Sequence, residues 1–174
     1  MNTFVVQMWD DEGSMCNFYT VRWDDSDISE TDKFYEKFIQ DEKHTEALDQ
    51  LTSLILNKIG NDYGAIDELF NRNENEVSAL PPKGKIHFDE LTLLYYPQFP
   101  LRLFALRITE EIVVLFNGGI KDAATNQKSS LSMQWREALL FAKKIIEGIL
   151  DGTIIVNHKE AKLEYFNGSD EIIL

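Results

Sequence analysis

The sequence has few cysteines, histidines and prolines. Its 174 residues include one cysteine, Cys16, three histidines and four prolines. A single cysteine excludes an internal disulfide and any cysteine-rich zinc site, and it is typical of a protein from a reducing compartment. His44, His87 and His158 stand apart and lack metal-ligand spacing. We therefore expect no metal site and no cofactor.

Long hydrophobic runs are also missing. No stretch approaches the roughly 20 apolar residues of a membrane-spanning helix. The apolar run near the N-terminus stops at Asp10, Asp11 and Glu12 and has no basic region before it, unlike a secretory signal. We expect a cytoplasmic protein with no membrane partner.

Basic residues are scarce, with 17 Lys and Arg against 30 Asp and Glu, giving a net charge of -13. This balance argues against nonspecific attachment to nucleic acid or to anionic membrane. The distribution is uneven, because residues 1–82 carry 6 basic and 18 acidic side chains, whereas residues 83–144 carry 9 and 6. The mildly basic middle is compatible with a local anion site, and ordinary surface ion pairing is the alternative.

The length and the 44% hydrophobic content suit a single domain with one sizeable core. We expect this domain to carry an added N-terminal hairpin over about 3–24 and a C-terminal tail over about 153–174. In the hairpin, β-prone runs flank a turn, and Trp9 and Trp23 would be neighbours. Short strands follow at 153–156 and about 161–166, and residues from Ser169 onward are expected to fray.

Apolar periodicity predicts three helices and a set of central strands. Ser29 and Asp32 have capping-box spacing at the start of the first helix. A helical stripe of apolar residues makes the last helix the clearest. The predicted helices cover about 30–42, 45–59 and 132–150, an exposed polar loop covers 71–76, and the predicted central strands cover 86–96, 101–108 and 112–117. Helices grouped before and after an antiparallel hairpin predict an α+β fold with a mostly antiparallel sheet.

The central hairpin carries cations in an otherwise acidic chain. Arg102 and Arg107 are five residues apart on one strand and should point to opposite faces of the sheet. Arg102 lies near the strand start and Lys121 lies just past the end of the antiparallel neighbour, so the two should meet at one edge. Backbone N–H groups of a glycine loop at Gly118 and Gly119, together with these two cations, form a reasonable receptor for a phosphate oxyanion.

A structural interpretation of the same residues remains open at this point. In it, Arg102 pairs with a core-facing carboxylate such as Glu137, the two glycines form a bend, and Lys121 is solvated.

The run 100–107, the apolar strand 112–116, the segment 117–121 and a following helix with Arg136 and Glu137 resemble the core of the RelE/ParE toxin superfamily. The resemblance covers about residues 80–150. It implies an α+β plan of two helices, antiparallel strands and a helix, and metal-independent cleavage of messenger RNA on the ribosome. It also implies a small antitoxin as partner.

The resemblance also implies residue roles. Arg102 corresponds to the phosphate-holding arginine, and Lys121 to the lysine after the final strand. Lys83 or Lys85 stands where strand-entry lysines contact RNA or act as base, so that the catalytic candidates are Arg102, Lys121 and Lys85. The substrate-binding candidates are Lys83, Arg107 and Arg136.

A second hypothesis is a noncatalytic interaction protein. Its acidic N-terminal half would bind a basic partner, such as a toxin or a nucleic-acid-binding protein. The excess negative charge favours this hypothesis, whereas Arg102, Lys121 and the two lysines at 83 and 85 favour the toxin-like one.

Overall fold

A computed structural model describes residues 2–88, 91–95, 98–121 and 131–174, with the backbone alone for 85–88 and 91–95. The helices are α1 (Glu30–Phe38), α2 (Thr45–Ser53) and α3 (Ser132–Asp151), with a π-helix at Leu54–Tyr63 and a 3-10 turn at Asp67–Leu69. The strands are β1 (Phe4–Asp10), β2 (Asn17–Trp23), β3 (Asn73–Glu74), β4 (Val77–Leu80), β5 (Lys85–Phe88), β6 (Leu91–Tyr95), β7 (Leu101–Thr109), β8 (Ile112–Ile120), β9 (Ile154–Asn157), β10 (Lys162–Tyr165) and β11 (Ile172–Ile173).

Seven strands form the main sheet, in the order β11-β1-β2-β8-β7-β4-β3. Every pair is antiparallel except β2 and β8, which run parallel from Asn17 opposite Ile112 to Thr20 opposite Leu115. The chain is therefore α+β, with an N-terminal hairpin, two helices before the central strands and one long helix after them, as the sequence predicts.

The sheet has an apolar layer on each face. Strands β7 and β8 alternate Leu103 and Leu115 toward one face with Phe104 and Phe116 toward the other, and all four are fully buried. Helices α1 and α2 and the π-helix cover the first face, whereas α3 and the β9–β10 hairpin cover the second. Because both faces are covered, the central strands lack the polar alternation of a one-sided sheet.

Several local predictions are confirmed. Strands β1 and β2 form the N-terminal hairpin, and Ser29 Oγ accepts a hydrogen bond from the backbone N–H of Asp32 at 3.1 Å, which caps α1. Helix α3 spans the predicted stripe and ends before Gly152, whose φ of 86° is left-handed.

One contact within the first hairpin was predicted wrongly. Trp23 pairs with Phe4 at one end of the hairpin, while Trp9 lies toward the other end and stacks on Tyr35 with ring centroids 5.8 Å apart. The antiparallel register separates the two tryptophans, because residues late in β1 face residues early in β2.

Other element boundaries also differ from the predictions. The helix predicted to end near residue 59 continues as the π-helix to Tyr63, and the loop predicted at 71–76 contains β3. The single strand predicted over 86–96 is divided into β5 and β6, which form a separate two-stranded sheet. The tail does not fray after Ser169, since β11 pairs with β1. Within the described residues, no helix combines the length and apolar character needed to cross a bilayer.

Candidate functional site

Strands β7 and β8 bring the start of one strand beside the end of the other. Arg102 is opposite Gly119, and the backbone N–H of Lys121 donates to the carbonyl of Pro100 at 2.7 Å. The sequence predicts this proximity of Arg102 and Lys121, because antiparallel pairing sets the start of one strand beside the end of the other. The backbone geometry brings these two residues close together at that edge.

The two glycines near this edge belong to β8 and do not form the predicted loop. A Cβ on Gly118 would overlap the backbone carbonyl oxygen of Arg102, so the two strands approach as closely as they do only because Gly118 has no side chain. The pairing register shifts between Leu103 and Ala105, at this close approach. Both glycines lie in a strand and not in a bend, and close strand packing explains Gly118.

Arg102 is buried, with 5% of its surface exposed. Its Nη1 donates to the carbonyl oxygens of Phe99 at 2.7 Å and Leu101 at 2.9 Å. Among the side chains that the structure describes, no carboxylate forms an ion pair with it. The proposed pair with Glu137 is not formed, because Glu137 Oε1 accepts a hydrogen bond from Trp23 Nε1 at 3.1 Å.

A second arginine lies near Arg102 and was missed in the sequence. Arg72 Nε donates to the carbonyl of Pro81 at 3.0 Å, and its own carbonyl accepts from the N–H of Ala79 beside β7. Burial first, and then the positive charge of Arg72, lower the pKa of Arg102 to about 10, whereas Glu74 acts in the opposite direction. Nothing in the sequence near Arg72 indicates this neighbour, because only the pairing of β4 with β7 brings them together.

Arg107 lies on the other face of β7, as alternation predicts. Its Nη1 forms an ion pair with Asp67 Oδ1 at 3.1 Å, and its Nε donates to the carbonyl of Ala65. It lines a cleft of about 420 Å³ together with polar side chains that include Asn73 and Glu76. Arg107 and Arg102 therefore belong to separate parts of the surface and cannot contact one phosphate together.

The remaining candidates lie apart, in the turn between β4 and β5, in β5 and in α3. Lys83 is exposed, and its backbone N–H donates to Asn71 Oδ1 at 2.7 Å. Lys85 begins β5, and its side chain lies outside the described part of the structure. Arg136 is exposed on α3. The structure thus places Arg102 near Arg72 and near the backbone of Lys121. It does not bring all six predicted cations together.

A groove of about 360 Å³ lies at a separate, acidic part of the surface. Carboxylates from the first hairpin and from the C-terminal segment line it, together with one lysine: Asp11, Glu160, Glu164, Asp170 and Lys162. Tyr19 also lines it, and its hydroxyl accepts a hydrogen bond from the N–H of Leu163 at 2.9 Å. This arrangement favours a positively charged ligand.

Comparison of the chain with protein-family models, with curated proteins and with solved structures finds no match. A functional proposal therefore rests on the sequence pattern, the fold and the local geometry.

Proposed function

We propose that this chain is the RelE/ParE-like toxin of a toxin-antitoxin pair, and that it binds an RNA phosphate at Arg102. The proposal is supported by the resemblance over about residues 80–150. It is also supported by one structural observation: Arg102 is buried beside a second arginine, Arg72, and forms no ion pair with any carboxylate in the part of the chain that the structure describes. Because fold class alone does not define an activity, this site is what carries the proposal.

A buried arginine without a carboxylate is unusual, since burial of an unpaired charge opposes folding. An arriving phosphate would supply the missing negative charge, and an arginine fork suits two of its oxygens. Arg72 and Lys121 would add positive charge at the same strand ends. In a ribonuclease, such cations stabilise the phosphorane that forms when a ribose 2′-hydroxyl attacks the neighbouring phosphate.

Growth after induced expression tests the toxin proposal. The wild-type chain is compared with the double variant Arg102→Ala/Lys121→Ala and with Lys58→Ala, in which an exposed ion pair to Asp62 is lost instead. We expect arrest by the wild type and by Lys58→Ala, and normal growth with the double variant. Protein levels and melting temperatures are measured for all three, because Arg102 also binds two backbone carbonyls.

Normal growth with every variant at equal protein level would contradict the toxin proposal. Arrest by the double variant at wild-type strength would leave the toxin proposal in place and exclude Arg102 and Lys121 as its functional site.

The acidic groove supports a second candidate, a noncatalytic module that binds a basic partner protein. Removing three of its carboxylates in Glu160→Gln/Glu164→Gln/Asp170→Asn should abolish binding of a lysine-rich peptide measured by fluorescence anisotropy. The matched control is Glu36→Gln/Glu42→Gln/Glu46→Gln, which removes equal charge from α1, α2 and their connection. Equal loss of binding in both triple variants would show a nonspecific charge effect and contradict this candidate.

A further inference from the structure

Helix α1 packs beside β8 and is hydrogen-bonded to it at both ends of the helix. In its first turn, the hydroxyl of Thr31 donates to the carbonyl oxygens of Leu115 and Phe116, each at 3.1 Å. In its last turn, Lys37 Nζ donates to the carbonyl oxygen of Gly118 at 2.6 Å. These contacts hold the ammonium group of Lys37 against the last residues of β8.

The side-chain amide of Asn117 lies at this end of β8 and has three polar neighbours. Its Oδ1 accepts hydrogen bonds from Lys37 Nζ at 2.9 Å and from the backbone N–H of Gly118 at 2.7 Å, and its Nδ2 donates to Glu30 Oε1 at 3.4 Å. Two donors at one amide atom and a carboxylate at the other fix which atom is oxygen and which is nitrogen. The atom that Lys37 contacts is bonded to Cγ, which is the electrophilic carbon of the amide.

Lys37 has the surroundings of a nucleophilic lysine. Its Nζ lies 6.0 Å from the ring centre of Phe34 and 5.8 Å from that of Phe38, and both rings are buried. Burial lowers the pKa of Lys37 below its ordinary value of 10.5, while the negative charge of Glu30 acts in the opposite direction. A lowered pKa increases the fraction of free amine, and the free amine is the form that attacks a carbonyl carbon.

Glu30 lies beside the nitrogen that such an attack would displace. It is 2% exposed, and Lys33 Nζ forms an ion pair with its Oε2 at 2.7 Å. The ion pair favours the carboxylate, which can accept a proton and pass it on. The backbone N–H of Gly118 points at Oδ1 of Asn117, where negative charge would develop during the attack. A nucleophile, a proton carrier and an oxyanion donor therefore surround one amide.

We propose that Lys37 and Asn117 form an isopeptide bond that joins α1 covalently to β8. The unprotonated Nζ of Lys37 attacks Cγ of Asn117, and the N–H of Gly118 stabilises the charge on Oδ1 of the tetrahedral intermediate. Glu30 takes a proton from Nζ and delivers it to Nδ2, the Cγ–Nδ2 bond breaks, and ammonia leaves. An amine and an amide thus give a new amide and ammonia, so the step balances without a further reactant. Because both groups are held in contact by the fold, the reaction is intramolecular.

Intact-mass spectrometry of the purified full chain tests the bond. We expect the wild type to be lighter than its sequence by the mass of one ammonia molecule. Lys37→Arg, which keeps the positive charge, and Asn117→Ala, which removes the amide, should both have the full sequence mass. Lys43→Arg is the matched control, because this lysine is exposed and lies a few residues after α1, and it should lose ammonia as the wild type does. A wild-type chain of full sequence mass would overturn the proposal.

A tryptic digest distinguishes the isopeptide bond from closure of Asn117 onto the nitrogen of Gly118, which also releases ammonia. Trypsin does not cleave after an acylated lysine, so the wild type should give a branched peptide that contains both Lys37 and Asn117. Loss of ammonia without this branched peptide, or loss of ammonia in Lys37→Arg, would overturn the proposal. If Lys37→Arg or Asn117→Ala fails to fold, the branched peptide of the wild type decides.

Glu30→Gln tests the proton carrier. The fraction of chain that has lost ammonia is followed with time after a short induction, and melting temperatures show which variants are folded. A positioned acid–base group contributes about 10²-fold or more, so we expect Glu30→Gln to form the bond at least about a hundredfold more slowly. Glu36→Gln changes an exposed glutamate of the same helix and should react as the wild type does. Equal rates for folded Glu30→Gln and the wild type would overturn the assignment of Glu30.

Discussion

Gly118 is the residue at which β7 and β8 approach most closely. We expect Gly118→Ala to lower the free energy of unfolding by about 3 kcal/mol or more, because its Cβ would meet rigid backbone at Arg102. Urea unfolding measures the effect. Gly119→Ala is the matched control, since its Cβ would lie 3.1 Å from the flexible end of Leu131 and should cost less. Equal loss in the two variants would contradict the close-approach explanation.

Cys16 is buried, and burial first, followed by the negative charge of Glu111, raises the pKa of its thiol to about 12. The reactive thiolate is therefore almost absent at about pH 8, near the ordinary pKa of cysteine. We expect the folded chain to react far more slowly with a thiol reagent than the chain in denaturant, as followed by absorbance. Equal rates in the two states would show that Cys16 is accessible.

The sequence predicts single residues well where a local rule applies and poorly where a partner is distant. Alternation along β7 was enough to place Arg102 and Arg107 on opposite faces. Arg72 could not be assigned to the site, because its position beside Arg102 depends on the pairing of β4 with β7, which no local pattern encodes.

At the scale of elements, α1 is attached to the sheet by the buried hydroxyl of Thr31. We expect Thr31→Val, which keeps the shape of the side chain, to lower the free energy of unfolding by about 1–3 kcal/mol, because the carbonyls of Leu115 and Phe116 lose a donor. Chemical denaturation measures the change. Ser29→Ala removes only the helix cap and should cost about 1 kcal/mol. A cost below about 0.5 kcal/mol for Thr31→Val would mean that the hydroxyl is dispensable.

A helix or strand is predicted more accurately from the sequence when its apolar repeat is longer. Helix α3 has 20 residues with a continuous apolar face, and its limits are close to the predicted ones. The π-helix at Leu54–Tyr63 keeps helical spacing of apolar residues, so the sequence does not distinguish it from a continuation of α2. Strand β11 has only two residues and depends on β1 for its hydrogen bonds, which is why fraying was predicted.

At the scale of the whole molecule, β11 joins the C-terminal segment to the first strand. Ile172 is 1% exposed and pairs with Val6, whereas Ile173 is 47% exposed. We expect Ile172→Ala to lower the free energy of unfolding by about 2–5 kcal/mol, as measured by urea unfolding, because it leaves a cavity in the layer beneath α3. Ile173→Ala should cost much less, and similar costs for the two would contradict the observed strand pairing.

The distribution of charge separates the two functional candidates. Arg102 and Lys121 lie where β7 begins and β8 ends, in a chain of net charge -13. The acidic groove lies on the C-terminal segment and the first hairpin. Long-range repulsion should weaken nonspecific RNA binding, so any RNA affinity must come from specific contacts at the cationic edge.

Binding of a short single-stranded RNA to the purified chain, followed by fluorescence anisotropy, tests the proposed RNA-phosphate site most directly. If Arg102 and Lys121 contact a phosphate, Arg102→Ala/Lys121→Ala should weaken binding by about tenfold or more and flatten its salt dependence. Lys58→Ala should bind as the wild type does. Equal affinity of the folded double variant, or no binding by the wild type, would contradict the proposal that this edge is an RNA-phosphate site.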